Sequence, residues 1–198
     1  MRARDFRHQA WDKLRGNWTT AVVSYLIMGL ILGAIAFSGI GTLILTGPFV
    51  VGFSIIVLHI VRKEKAEIGD LFKGFNDFGR AFVLWLTNQL LIGLWSLLLV
   101  IPGIIKTYSY SMSYYILIDN PELSANEARK KSMQLMKGNK WRLFCLHFSF
   151  IGWLLLCMLT FGILIFWIEP YMETATAEFY QSLIGTEKAE ITEETVAA

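Results

Sequence analysis

Along this chain, short basic stretches with helical apolar spacing alternate with long, almost uncharged apolar runs. In residues 3–16, Phe6, Ala10, Trp11 and Leu14 recur at helical spacing, with Arg2, Arg4, Arg7, Lys13 and Arg15 opposite. That pattern predicts a basic amphipathic helix lying in the lipid headgroup plane, closed by Gly16-Asn17. A second stripe follows at Ile68, Leu71, Phe72, Phe75 and Phe78, with Asp70, Lys73 and Asp77 on its wet side and Gly79-Arg80 at its end. The third opens with Ser124-Ala125-Asn126-Glu127, a capping box with Leu123 placed for a hydrophobic staple. It carries Ala128, Met133, Leu135 and Met136 on one face and Arg129, Lys130, Lys131 and Lys137 on the other, and Gly138 closes it.

The apolar runs predict six membrane spans, since about 20 apolar residues cross a bilayer. They cover about Trp18–Phe37, Leu43–Val61, Ala81–Ile101, Ile104–Ile118, Trp141–Trp167 and Pro170–Ile184. The turns are expected at Ser38–Thr42, Pro102-Gly103 and Glu169-Pro170, and Gly47-Pro48 should kink or restart the second span. Gly29 and Gly33 form a GxxxG pair in the first span, a spacing that allows close helix approach. The fourth span is rich in Thr, Ser and Tyr and the sixth in Glu and Thr, so both should be enclosed by neighbours or line a wet cavity.

Gly16, Gly79 and Gly138 close the three amphipathic stretches, and Pro48, Pro102 and Pro170 open the three return segments. The expected fold is therefore all-α: a polytopic membrane protein of six transmembrane helices in three hairpin repeats, with interfacial amphipathic helices on the cytoplasmic face. Residues 1–184 form one transmembrane domain, with repeats at about 3–65, 66–120 and 121–184, and 185–198 form an acidic, disordered tail. Lys and Arg cluster before the first span and between spans 2 and 3 and spans 4 and 5, while the opposite turns carry none. By the positive-inside rule both termini are cytoplasmic.

Composition agrees: 55% of the 198 residues are hydrophobic and mean hydropathy is +0.49, too apolar for an ordinary soluble domain. Cys145 and Cys157 share one predicted helix and read as packing residues, and no Cys/His spacing suggests zinc. No metal or cofactor is expected. The basic stretches lack a base-reading aromatic array, so nucleic acid is not an expected partner. Arg4, Arg7, Lys13, Arg15, Arg129, Lys130 and Lys131 are instead expected to contact anionic lipid headgroups.

Candidate chemistry is confined to intramembrane polar residues. If the repeats superpose, Lys106 and Glu173 lie at nearly equal depth, with Glu169 able to share the pair and Tyr110 beside them. Glu178 lies deeper with no cation at its level, and must be hydrogen-bonded, hydrated or protonated. These residues read either as a register-fixing buried pair or as an ion, proton or headgroup site. No nucleophile–base triad or phosphate loop accompanies them.

Gly138-Asn139-Lys140-Trp141, Phe150-Ile151-Gly152-Trp153, Phe161-Gly162-Ile163, Glu169-Pro170-Tyr171 and Phe179-Tyr180 resemble a family of bacterial integral membrane proteins grouped as a domain of unknown function. Ile101-Pro102-Gly103-Ile104 and Ser124–Met136 fit the same resemblance. That family looks distantly related to the membrane domain fused to glycerophosphodiester phosphodiesterases. The chain carries no such catalytic domain, so the activity is not implied. The expected function is a non-enzymatic membrane module that binds lipid or a membrane protein partner; the alternative is a small transporter or lipid-translocating protein using the intramembrane charges.

Overall fold

The computed structural model describes residues 2–36 and 39–197, with side chains described to 187. Among the described residues every regular element is helical. In chain order these are α1 (Ala3–Leu14), α2 (Trp18–Ile35), α3 (Ile40–Arg62), a 3-10 segment (Ile68–Phe75), α4 (Phe78–Leu98) and α5 (Val100–Tyr110). Then come α6 (Ser113–Asp119), α7 (Ala125–Leu135), α8 (Lys140–Phe148), α9 (Ile151–Leu159) and α10 (Ile165–Ala197). Four stretches are long and apolar enough to cross a membrane: α2, α3, α4 and the α8–α9 run Lys140–Leu159.

The expected return segments begin earlier in the chain than their prolines. α3 starts at Ile40, α5 at Val100 and α10 at Ile165, so Pro48 and Pro170 lie inside helices and Pro102 in a first turn. The third turn falls at Thr160–Leu164, where Phe161 and Gly162 take positive φ (52° and 84°), and not at Glu169-Pro170. Of the expected turn at 38–42, residue 38 lies outside the described residues. The polar fourth span is divided at Ser111-Met112 into α5 and α6. α10 continues helically past Gly185, where the sequence predicts a disordered tail. Gly16 and Gly138 take positive φ (88° and 85°) just after α1 and α7 and stop them, whereas Gly79 lies inside α4 and stops nothing.

Burial is concentrated at the charged end of the molecule. Phe6, Ala10 and Leu14 of α1 are buried against α10, with Phe6 edge-on to Phe179 at 5.3 Å between centroids. Each such large apolar side chain contributes about 1.5–3 kcal/mol by leaving water. α3 is buried almost continuously from Gly47 to Val61 and is the central pillar. Arg62 at its end grips Asp119 of α6 through Nη2 at 2.8 and 2.6 Å, and Tyr180 of α10 donates its hydroxyl to the same carboxylate at 3.0 Å. At the other end the hairpin tips expose Leu30, Ile40, Leu97 to Ile101, and Leu154 to Leu156, an apolar surface with no charged residue in it. Cys145 and Cys157 are free.

The 3-10 segment inverts part of its expected pattern. Asp70, assigned to the wet side, is 3% exposed, while Ile68 and Phe72 face outward. Asp70 accepts the Glu67 N–H at 3.0 Å, pairs with Lys73 Nζ at 2.6 Å and meets His59 Nδ1 of α3 at 3.0 Å. Burial works against its charge, but the Lys73, Glu67 and His59 bonds outweigh it and hold the carboxyl below its usual range. A depressed carboxylate stabilises the fold above its unfolded pKa, and that stability is lost as pH falls through the lower folded value. Asp70→Asn is therefore expected to lose about 1.5–3 kcal/mol at neutral pH. The gap to wild type should close below about pH 4. Unfolding in detergent micelles between neutral and acid pH checks this, and a gap that persists at acid pH would contradict it.

Candidate functional site

A cavity of about 360 Å³ lies where the hairpins meet. α2 supplies Tyr25, α3 Phe53 and Ser54, α4 Asn88 and Gln89, α5 Tyr110, α6 Tyr114 and Tyr115, α8 His147, and α10 Glu169, Glu173 and Thr176. The Ser, Thr and Tyr positions of α5 and α6 face inward here, as their crowding in one segment requires in an apolar medium. On α10, Glu169, Glu173 and Thr176 recur at helical spacing and share one face.

The polar groups are held in pairs across elements. Tyr115 donates its hydroxyl to Glu173 Oε2 at 3.0 Å. Asn88 Nδ2 donates to Ser113 Oγ at 3.0 Å, and His147 Nε2 meets Thr176 Oγ1 at 3.1 Å. Asn88 is 2% exposed, and its Oδ1 is buried with no partner among the described residues. The cavity thus offers two carboxylates and an unpartnered amide oxygen, and neither Lys nor Arg lines it. An ionised carboxylate at such a position requires a partner or a proton.

The structure separates the predicted site residues. Tyr110, Glu169 and Glu173 share the cavity. Lys106 does not pair with Glu173; its Nζ lies 5.2 Å from the Trp95 ring centroid and 5.9 Å from that of Tyr110. Leu99 is extended and α5 begins beside it, so the depths counted from Pro102 and Pro170 are not equivalent. Glu178 does have a cation at its level: Lys13 of α1, with Nζ 3.6 Å from Oε1. Lys13 Nζ also donates to the Val61 carbonyl, so it points into the fold and not toward headgroups. Arg7 is also engaged, donating from Nη1 to the Ser149 carbonyl at 2.6 Å. Arg4, Arg15 and Lys130 are exposed, Arg129 bonds Asn126 at 2.9 Å, and Lys131 reaches Asn120 at 3.3 Å.

Asn88, His147 and Tyr115 are among the cavity residues that sequence reasoning did not assign to the site, with Tyr25, Ser54, Gln89, Tyr114 and Thr176. The buried amide was visible in the sequence as a polar residue deep in an apolar run; its orientation into the cavity was not. Among the described residues, no group of three or more His, Cys, Asp or Glu could hold a metal ion.

A family model described as "Protein of unknown function (DUF975)" matches residues 97–187, a little under half of the chain. The matched region begins at the end of α4 and runs into α10, and so includes Tyr110, Tyr115, His147, Glu169 and Glu173. No curated protein and no solved structure matches the chain.

Proposed function

We propose that this protein is a non-enzymatic membrane module whose central cavity binds a small organic cation. The observation that carries this reading is two carboxylates in a lining without a cationic side chain: Glu169 and Glu173 face the cavity, and neither Lys nor Arg lines it. A bound ammonium would neutralise carboxylate charge that an apolar surrounding penalises. The volume falls within the range of small-ligand pockets, and Tyr25 and Phe53 supply aromatic walls suited to a cation.

In this reading the chain lies in a bacterial cytoplasmic membrane with both termini cytoplasmic and six spans in three hairpin repeats. The Lys/Arg distribution supports that orientation, and Arg4, Arg15 and Lys130 remain available to anionic headgroups, whereas Arg129 lies over the Tyr110 ring. The outward face of the hairpin tips could take a membrane protein partner. A distant kinship with the membrane domain of glycerophosphodiester phosphodiesterases belongs to this reading through the resembled family alone. Carriage of the same cation across the membrane is the alternative, favoured by the meeting of three hairpins at one cavity.

Calorimetry on the detergent-purified protein tests the binding reading with benzylammonium and its neutral counterpart, benzyl alcohol. The ammonium should bind saturably and the alcohol should not. Glu173→Gln should weaken ammonium binding about tenfold or more, equivalent to about 1.4 kcal/mol. Equal binding of the alcohol, or none of the amine, would remove the reading. Uptake into proteoliposomes distinguishes carriage from binding.

A further inference from the structure

A second cavity, of about 500 Å³, lies beside α1 and is separate in character from the first. Its walls are Trp11, Trp18, Trp153 and Trp167 together with Tyr171, and apolar side chains from the start of α10 complete it. Tyr171 sits edge-on to Trp11 at 5.6 Å and tilted to Trp18 at 6.3 Å, so α1, α2 and α10 hold one aromatic wall in place. Trp11, Trp153 and Trp167 are 42%, 40% and 48% exposed, which opens the cavity to the outside of the bundle. Trp153 lies in α9 and Trp167 in α10, on either side of the uncharged turn of the last hairpin, whereas Trp11 belongs to the basic helix α1. The cavity therefore straddles the boundary where tryptophan rings concentrate between acyl chains and headgroups.

The charge beside it is one-sided. Arg4, Arg7, Trp11 and Arg15 are spaced three, four and four residues apart, which puts them on one face of α1. Among the described residues neither Arg4 nor Arg7 has a carboxylate within ion-pair distance, and Arg15 meets only the exposed Asp12 at 3.7 Å. Arg7 is fixed in place: its guanidinium lies 5.7 Å from the Phe150 ring centroid, and its carbonyl accepts the Tyr171 hydroxyl at 3.0 Å. Its Nε is buried without a partner. An aromatic cage also suits a quaternary ammonium, but Arg7 and Arg15, each four residues from Trp11, repel a cation.

We propose that this pocket binds one anionic phospholipid, its acyl chain among the four tryptophans and its phosphate at the exposed Arg4 and Arg15 on either side of Trp11, with Arg7 adding positive charge from its anchored position. The site rests on the placement of α1 at the headgroup level and not on the cation-binding cavity. Native mass spectrometry of the full-length protein, released from detergent with phosphatidylglycerol or phosphatidylcholine of identical chains, tests it. Wild type should retain one phosphatidylglycerol at about one-tenth the concentration needed for phosphatidylcholine. The triple variant Arg4→Gln, Arg7→Gln, Arg15→Gln should lose that preference while keeping phosphatidylcholine retention. Leu164→Trp, which narrows the pocket, should reduce retention of both, and Glu173→Gln should change neither. Equal retention of the two lipids by wild type, preference for phosphatidylcholine, or the triple variant keeping the preference would overturn the proposal. Wild-type tryptophan fluorescence gives a second readout that depends on no variant. Phosphatidylglycerol brominated in mid-chain should quench it more than equally brominated phosphatidylcholine, and equal quenching would count against the site.

Discussion

Gly52→Ala is expected to prevent folding or to leave a severely destabilised protein. A Cβ on Gly52 would lie 1.9 Å from the Leu71 carbonyl oxygen and 2.7 Å from its carbon, so backbone would have to move. The reciprocal contact is as close: a Cβ on Gly74 would lie 2.0 Å from the Pro48 carbonyl oxygen and 2.7 Å from Gly52 N. The 3-10 segment is therefore laid directly on the backbone of α3, with Phe49 and Phe75 edge-on at 5.0 Å beside the contact. Overpacking a core with a side chain that can shift costs about 1–3 kcal/mol. Here the obstacle is main chain, so the loss should exceed that range, against a total stability of about 5–15 kcal/mol. Gly33→Ala is the control. Nothing lies within 4 Å of a Cβ there, and the helix should be unharmed or slightly firmer. Thermal unfolding and folded yield in detergent compare the two; a Gly52→Ala protein as stable as wild type would refute the interlock.

That contrast shows what the sequence could and could not disclose. The helices, the capping box at Ser124 and the four membrane-length runs follow from local pattern, and local pattern was enough for them. The GxxxG at Gly29 and Gly33 was the conspicuous glycine motif, yet among the described residues a Cβ added at either would meet only the Phe166 ring, at 3.8 Å from Gly29. The glycines that matter, Gly52 and Gly74, are 22 positions apart and share no motif, because close approach is a property of two segments and not of one. The same limit applies to charge. Periodicity placed Asp70 on a wet face, but a buried carboxylate is admissible once Lys73, His59 and a main-chain N–H converge on it. Depth counting paired Lys106 with Glu173 on the assumption of superposed repeats. The helices begin at different distances before their prolines, and the lysine stacks on Trp95 instead. The acidic cavity was half visible, since a Glu in a return segment must be enclosed. Its partners from α4, α6 and α8 required the fold.

Lys13→Met should expose what the amino-terminal helix does for α10. Lys13 and Glu178 are 26% and 11% exposed, so both charges lie largely within the protein. Glu178 Oε1 has no hydrogen bond, and the lysine 3.6 Å away is the cation that compensates it. Removing one member of a buried pair costs about 3–5 kcal/mol because the remaining charge is left unmatched. The partial exposure of Lys13 lets water recover part of that, which brings the expectation to about 2–3 kcal/mol. Glu178→Gln on the Lys13→Met background removes the unmatched charge and should restore most of the loss. A coupling energy of at least about 1 kcal/mol in the double-mutant cycle would show that the pair acts as a unit. Lys106→Met gives the comparison, since its ring contact with Trp95 contributes about 0.5–1 kcal/mol and leaves no charge stranded. If Lys13→Met and Lys106→Met proved equally mild, Glu178 would have to be neutral or hydrated in the folded protein, and α1 would be held by Phe6, Ala10, Leu14 and the bonds of Arg7 without help from the ion pair.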